Sequence, residues 1–141
     1  MTVREAQPDE RDAALELRRV VFVQEQGVPE ELEFDAEDGH AVHLVAVEAG
    51  EVVGTCRLLP GRRGRLRLGR LAVAPFARGR GTASALLQDA AGRAIAGGFD
   101  TIVLHAQVAA LGLYERAGYV PVGERFDEAG IAHQTMELRV V

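Results

Sequence analysis

One short segment constrains this chain more than any other. Arg78-Gly79-Arg80-Gly81-Thr82-Ala83 lies between an extended apolar run, Leu71-Ala72-Val73-Ala74-Pro75, and the start of a long amphipathic stretch. A strand, a glycine-rich turn and a helix N-terminus in that order leave several backbone N–H groups unpaired at one point. Such a point favours an anion, and a pyrophosphate suits it. Glycine allows the backbone to approach phosphate oxygens where a Cβ would block them, and Arg78 and Arg80 add positive charge at the mouth. The spacing is not that of the Gly-x-Gly-x-x-Gly dinucleotide fingerprint. No Gly-Lys-Ser/Thr follows, which removes the nucleoside-triphosphate loop as well.

The flanking segments read as alternating strands and helices. Val3 to Ala6 predicts a strand. A helix starts at Pro8-Asp9-Glu10, with proline and acids in its first turn, and continues to about Val23 before Gly27 and Pro29 stop it. Val42–Glu48 and Val52–Leu59 predict two strands joined by a turn at Ala49-Gly50-Glu51. In the next strand, Arg65 to Ala74, Leu66 and Leu68 share one phase of the alternation, and Leu71 and Val73 share the other. The slip near Gly69-Arg70 predicts a β-bulge, which splays a strand and leaves main-chain groups free for an extended ligand. A helix over 82–96 closed by Gly97-Gly98, an apolar strand over 101–106 and a short helix over 108–117 follow. The strands Tyr119–Phe126 and Ala132–Val141 form a final hairpin around Asp127–Gly130. The order βαβββαβαββ is an α/β sandwich in one domain spanning residues 1–141.

Arg78–Ala83 resembles the (Gln/Arg)-x-x-Gly-x-(Gly/Ala) pyrophosphate loop of the GNAT superfamily of acetyl-coenzyme A-dependent N-acetyltransferases. Gln107-Val108-Ala109-Ala110-Leu111-Gly112-Leu113-Tyr114-Glu115-Arg116-Ala117-Gly118-Tyr119 is similar to that family's Asn-x-x-Ala-x-x-x-Tyr-Glu-x-x-Gly-Phe segment. The stretches Val21–Pro29, Leu104–Gln107 and Phe126–His133 resemble the bacterial ElaA-like subgroup. The resemblance implies an α/β/α sandwich on a mixed, mostly antiparallel sheet with a bulged, splayed fourth strand. It implies acetyl-CoA as co-substrate, bound by Leu71, Ala72 and Val73, by Arg78, Gly79, Arg80, Gly81, Thr82 and Ala83, and by Gln107 and Tyr114. Dimerisation is common in that fold, so a homodimer stays open.

Acetyl transfer from a thioester to an amine needs a held thioester, a donor to the carbonyl oxygen, a proton acceptor for the amine and a proton donor for the thiolate. It needs no covalent enzyme intermediate. The resemblance assigns the carbonyl donor to backbone N–H near Ala72 or Val73 and the acid to Tyr114, a phenol that stays protonated at neutral pH. The glutamate that some members carry on the fourth strand is missing: Arg67, Gly69 and Arg70 stand there. Glu25, His105 and His133 are the candidate bases, and each could instead be structural. Two further readings stand beside an N-acetyltransferase. One is a non-catalytic acyl-CoA-binding or sensor module, and the other is an acyltransferase with a non-amine acceptor.

Composition narrows the partners. The net charge of −5 argues against general nucleic-acid binding. All 16 basic residues are arginine, and half lie between Arg57 and Arg80, whereas acids crowd Glu30–Asp38. Both runs could be solvated surface, or the arginines could face an anionic cofactor and the acids a cationic amine, small-molecule or peptide. No apolar run reaches the roughly 18 residues of a membrane span, and the N-terminus lacks a signal-peptide pattern. A lone cysteine, Cys56, sits in an apolar strand as a core residue and fits a reducing cytoplasm. The histidines have neither ligand spacing nor cysteine partners, so no metal site is expected.

Overall fold

The strand and helix signals assemble, in a computed structural model that describes residues 1–141, into a single eight-stranded sheet flanked by helices. In chain order the elements are β1 (Thr2–Glu5), α1 (Pro8–Arg18), a π-helical segment (Arg19–Glu25), α2 (Glu30–Glu33), β2 (Val42–Glu48), β3 (Glu51–Pro60) and β4 (Arg65–Val73). Then come α3 (Thr82–Ala96), β5 (Thr101–Gln107), α4 (Leu111–Arg116), β6 (Val120–Pro121), β7 (Phe126–Glu128) and β8 (Ile131–Arg139). Across the sheet the order is β1-β2-β3-β4-β5-β8-β6, with β7 also on β8. Every pairing is antiparallel except β4 with β5.

Alternation along β3 explains the layers. Gly54 faces α3, where a Cβ would come within 2.8 Å of Thr82 Cγ2 and 3.1 Å of Leu86 Cδ1. Arg57, three residues on, points to the α1 side and meets Asp35 and Asp38. The apolar core lies on both faces, with Leu44, Leu86, Ile102 and Met136 fully buried. Each such side chain contributes roughly 1.5–3 kcal/mol of burial.

The bulge forms where the alternation slips. Thr55 pairs with Ala72 and Arg57 with Gly69, so Arg70 and Leu71 together oppose Cys56. Arg70 takes a left-handed φ of 55° to make the extra step. β4 pairs with β5 only over Arg65–Arg67 against Thr101–Val103. Beyond that the two strands part.

Three expectations need correction. The first helix does not run as one α-helix to Val23. It ends at Arg18, and a wider π-turn follows, closed by Gln26 N–H to Val21 O at 3.2 Å. The β-branched Val20, Val21 and Val23 disfavour the tighter turn, and the change of pitch buries Val21 and Phe22. The acidic run is neither a plain solvated loop nor a free acidic wall. It forms α2 and a 3₁₀ turn (Ala36–Gly39), with Glu33 and Asp38 buried. The expected strand 119–126 is split into β6 and β7. Pro121 has no N–H to continue the ladder, Gly123 turns at φ 75°, and Gln134 Nε2 donates to the Val122 and Gly123 carbonyls at 3.0 Å each.

Candidate active site

The gap between β4 and β5 opens a cavity of about 790 Å³. One wall is β4 from Arg67 to Val73, and the facing wall is β5 with the β7–β8 hairpin. The rim comes from the end of the π-helix and from α2. A second cavity of about 250 Å³ lies behind the start of α3. The two share Val73, Arg78, Ala83 and Leu113 in their linings, so they adjoin there.

The smaller cavity is built for an anion. Gly79, Gly81, Thr82, Ala83 and Ser84 line it. Gly81 caps α3 with a left-handed φ of 81° and no capping side chain. The first helical bond runs from Ala85 N–H to Gly81 O at 3.0 Å, which leaves the Thr82, Ala83 and Ser84 N–H groups without a backbone acceptor. Those groups and the helix dipole favour negative charge. No atom lies within 4 Å of a Cβ built on Gly79 or Gly81, so the space beside both is open. Arg116, on α4, also lines this cavity and has no acidic partner. Sequence reasoning missed it, because a basic residue in the last turn of a helix already has a role at the dipole.

Of the loop residues singled out in sequence, Arg80 stands apart. It lines neither cavity, and its guanidinium lies 3.3 Å from Glu48 on β2. Arg78 stays at the junction of the two cavities. Its Nε donates to Val73 O at 3.1 Å, and its two terminal nitrogens donate to both oxygens of Glu25 at 2.8 and 2.7 Å.

Leu71, Ala72, Val73, Gln107 and Tyr114 all line the larger cavity, as do Glu25, His105 and His133. Tyr114 is buried on α4, edge-on to Tyr119 with ring centroids 5.9 Å apart, and burial raises its phenol further above neutral pH. Gln107 Nε2 donates to Gln26 Oε1 at 2.8 Å, across the mouth of the cleft. Tyr119 is buried, consistent with a packing role. Cys56 is also buried, and burial pushes its thiol up to about 12, so it stays protonated.

The three candidate bases have different surroundings. Glu25 is held below the usual carboxylate range by its hydrogen bonds to Arg78, which makes it a poor proton acceptor. His133 is buried, and its Nδ1 lies 2.7 Å from Ile131 O, an oxygen that only accepts, so Nδ1 carries the proton. His105 is half exposed on β5, with Nδ1 3.1 Å from Glu128 Oε1.

Much of the acidic run is instead neutralised by arginine. Arg18, 1% exposed, binds Glu33 Oε2 at 2.9 Å and Asp38 Oδ1 at 2.7 Å. Arg57 binds Asp35 and Asp38, and Arg70 reaches Glu33 and Asp35. Burial pushes Asp38 up, but hydrogen bonds and charge from Arg18 and Arg57 more than offset it, to about 2. Burial prevails at Glu33, whose carboxyl is raised. His43 is buried beside them and burial lowers its basicity, while its Nε2 lies 2.9 Å from Asp38 O.

The chain matches the acetyltransferase (GNAT) domain over residues 6–140. It belongs to the GNAT acetyltransferase family. A candidate acetyltransferase of Bacillus subtilis (strain 168) is 36% identical over 128 residues, covering 87% of this chain and 85% of that protein. Among solved structures, a candidate N-acetyltransferase of Lactobacillus plantarum superposes with a TM-score of 0.92 at 30% identity, covering 99% of this chain and 98% of the other. Escherichia coli ElaA superposes at 0.83 with 25% identity and 96% coverage of each. The GNAT fold is therefore shared along nearly the whole length; in this acetyltransferase Gly79 and Gly81 line the smaller cavity and Tyr114 the larger one.

Proposed function

We propose that this GNAT protein transfers an acetyl group from acetyl-CoA directly to an amine, with no acyl-enzyme. The supporting observation is the pair of adjoining cavities. The anion-seeking one, at the start of α3, shares Val73 and Arg78 with the chamber that holds Tyr114 and His105. In this reading the diphosphate sits on the N–H groups of Thr82 to Ser84 between Arg78 and Arg116. The pantetheine arm pairs with the free main-chain edge of Leu71 to Val73, past the bulge. Gln107, released from Gln26, contacts the arm.

The amine nitrogen attacks the thioester carbon while backbone N–H near Ala72 or Val73 receives the developing oxyanion. His105 takes the amine proton. The C–S bond breaks, and the thiolate takes the Tyr114 proton. The proton on His105 returns to the phenolate through solvent, which closes the cycle. Glu25 is set aside as base because Arg78 occupies both its oxygens, and His133 because its ring is buried whereas that of His105 is half exposed to the cleft.

An ElaA-like placement within the family is part of the proposal, as are residence in the cytoplasm, a small-molecule or peptide amine as acceptor, and no role for a metal. The test is an acceptor screen that follows thiol release from acetyl-CoA, with calorimetry of CoA binding beside it. Amine-dependent thiol release that disappears in Gly81→Asp together with CoA binding is the expected result. A wild-type protein that takes up no CoA would refute the proposal.

A further inference from the structure

We propose that Glu128 is a positioning residue for acetyl transfer, fixing His105 in the tautomer whose Nε2 can accept the amine proton. This rests on the acyl-transfer reading above. Glu128 ends β7, and a two-residue turn, Ala129-Gly130, returns the chain to Ile131 directly opposite. Both turn residues have positive φ, 53° and 77°, the geometry of a type I′ hairpin. Alanine is disfavoured there, yet the turn is held and brings Glu128 over the cavity.

Register places the partners on the same face. Gln107 pairs with His133 and His105 with Thr135 between β5 and β8, while Phe126 pairs with His133 between β7 and β8. Residues paired across a ladder, or two apart along a strand, share a face. Phe126 therefore sits between the histidines, edge-on to His105 at 5.0 Å and stacked on His133 at 6.0 Å. The aromatic ring limits rotation of both imidazoles.

The hydrogen bonds then decide the tautomer. A carboxylate only accepts, so the 3.1 Å contact between His105 Nδ1 and Glu128 Oε1 places the proton on Nδ1 and the lone pair on Nε2. When Nε2 takes a proton from the amine, the new imidazolium already faces a carboxylate. The other oxygen of Glu128 lies 3.7 Å from His133 Nε2, beyond hydrogen-bond reach, so His133, with its proton on Nδ1, does not compete for the carboxylate.

Charge pairing singles out the same residue. Five carboxylates line the larger cavity: Glu25, Glu33, Asp35, Glu37 and Glu128. Arg78 holds Glu25, Arg18 and Arg70 hold Glu33, Arg57 and Arg70 hold Asp35, and Arg67 holds Glu37. Glu128 alone has no arginine and is free to answer a charge appearing on His105.

The experiment combines ¹⁵N NMR of the ring nitrogens with steady-state kinetics in Glu128→Gln, the His105 signals being assigned by their loss in His105→Gln. At alkaline pH, wild-type His105 should carry its proton on Nδ1, and Glu128→Gln should show a mixture, because an amide can accept or donate. With a working acceptor, kcat should fall about tenfold or more, with KM for acetyl-CoA within about twofold. The double variant should lose no more than His105→Gln alone. A wild-type proton on Nε2, or Glu128→Gln with unchanged tautomer or unchanged kcat, would overturn the proposal. The NMR result stands whether or not any amine is turned over, so failure here is distinct from failure of the acetyl-transfer reading.

Discussion

The buried charge network offers the sharpest test of how this fold holds its cleft open, and Asp38→Asn is the perturbation. Arg18 is 1% exposed and is bound by two carboxylates, one of which is Asp38. The substitution leaves a buried guanidinium with Glu33 alone, and removing one partner of a buried pair costs about 3–5 kcal/mol. The pH dependence supplies an independent check. In the folded protein the Asp38 carboxyl lies at about 2, against an ordinary 3.8. A difference of roughly two units corresponds to on the order of 2 kcal/mol, or about 1–2 kcal/mol after allowance for water access. A depressed folded pKa gives stability that is complete above the unfolded value and lost as pH falls through the folded one. The loss should therefore run from just above pH 3.8 down to about 2. Glu33 works in the opposite sense: its raised carboxyl binds a proton earlier in the folded state and blunts the decline. Urea unfolding of wild type and Asp38→Asn at neutral pH and near pH 3 measures both effects. The variant should be much weaker at neutral pH, and the gap should narrow by roughly 1 kcal/mol on acidification. Equal urea midpoints at neutral pH, or a gap that does not change with pH, would refute the assignment of Asp38 as the anchor of Arg18.

Three further outcomes are expected. Tyr114→Phe should lower turnover about tenfold or more with CoA affinity nearly unchanged, and equal turnover would remove Tyr114 from the mechanism. Gly54→Ala should cost about 1–3 kcal/mol, because its Cβ would lie 2.8 Å from Thr82 Cγ2 and α3 must shift to admit it; thermal unfolding should show a Tm lower by about 3–10 °C, and an unchanged Tm would contradict the close approach of β3 to α3. Arg116→Ala should weaken CoA binding about 5- to 20-fold at low salt and by less at high salt, as expected for an exposed cation beside a phosphate; calorimetry at two ionic strengths that gave wild-type affinity would remove Arg116 from the anion site.

The parts of the site that depend on backbone chemistry were legible in the sequence. Glycine spacing marked the start of α3, and the phase slip in 66–73 marked the bulge, because both leave a local pattern. The parts that depend on pairing between distant segments were not. Nothing in Glu30–Asp38 shows that Glu33 and Asp38 turn inward, since their partners lie 15 to 37 residues away in sequence. The contact of Arg80 was hidden for the same reason: its partner, Glu48, comes from a strand that sequence neighbours do not reveal. Glu128 was within reach. The Ala-Gly turn fixes which residue faces Ile131, and counting by twos from His133 places it beside the histidines.

The bulge and the charge network are parts of one device. Arg70 occupies the left-handed region, which costs a non-glycine residue on the order of 1–2 kcal/mol. Its side chain offsets that strain: Nε donates to Glu33 O at 3.2 Å and lies 3.2 Å from the Glu33 carboxylate, while Nη2 reaches Asp35 at 3.3 Å. Glu33 is held in turn by Arg18 on α1. The same contacts that keep β4 kinked, with its main-chain edge free, therefore also fix α2 at the rim of the larger cavity. If acetyl-CoA is held along β4 and the acceptor enters past α2, one buried network sets the distance between the two reactants. A change at Arg18 or Asp38 should then reach catalysis through geometry, without either residue touching a substrate.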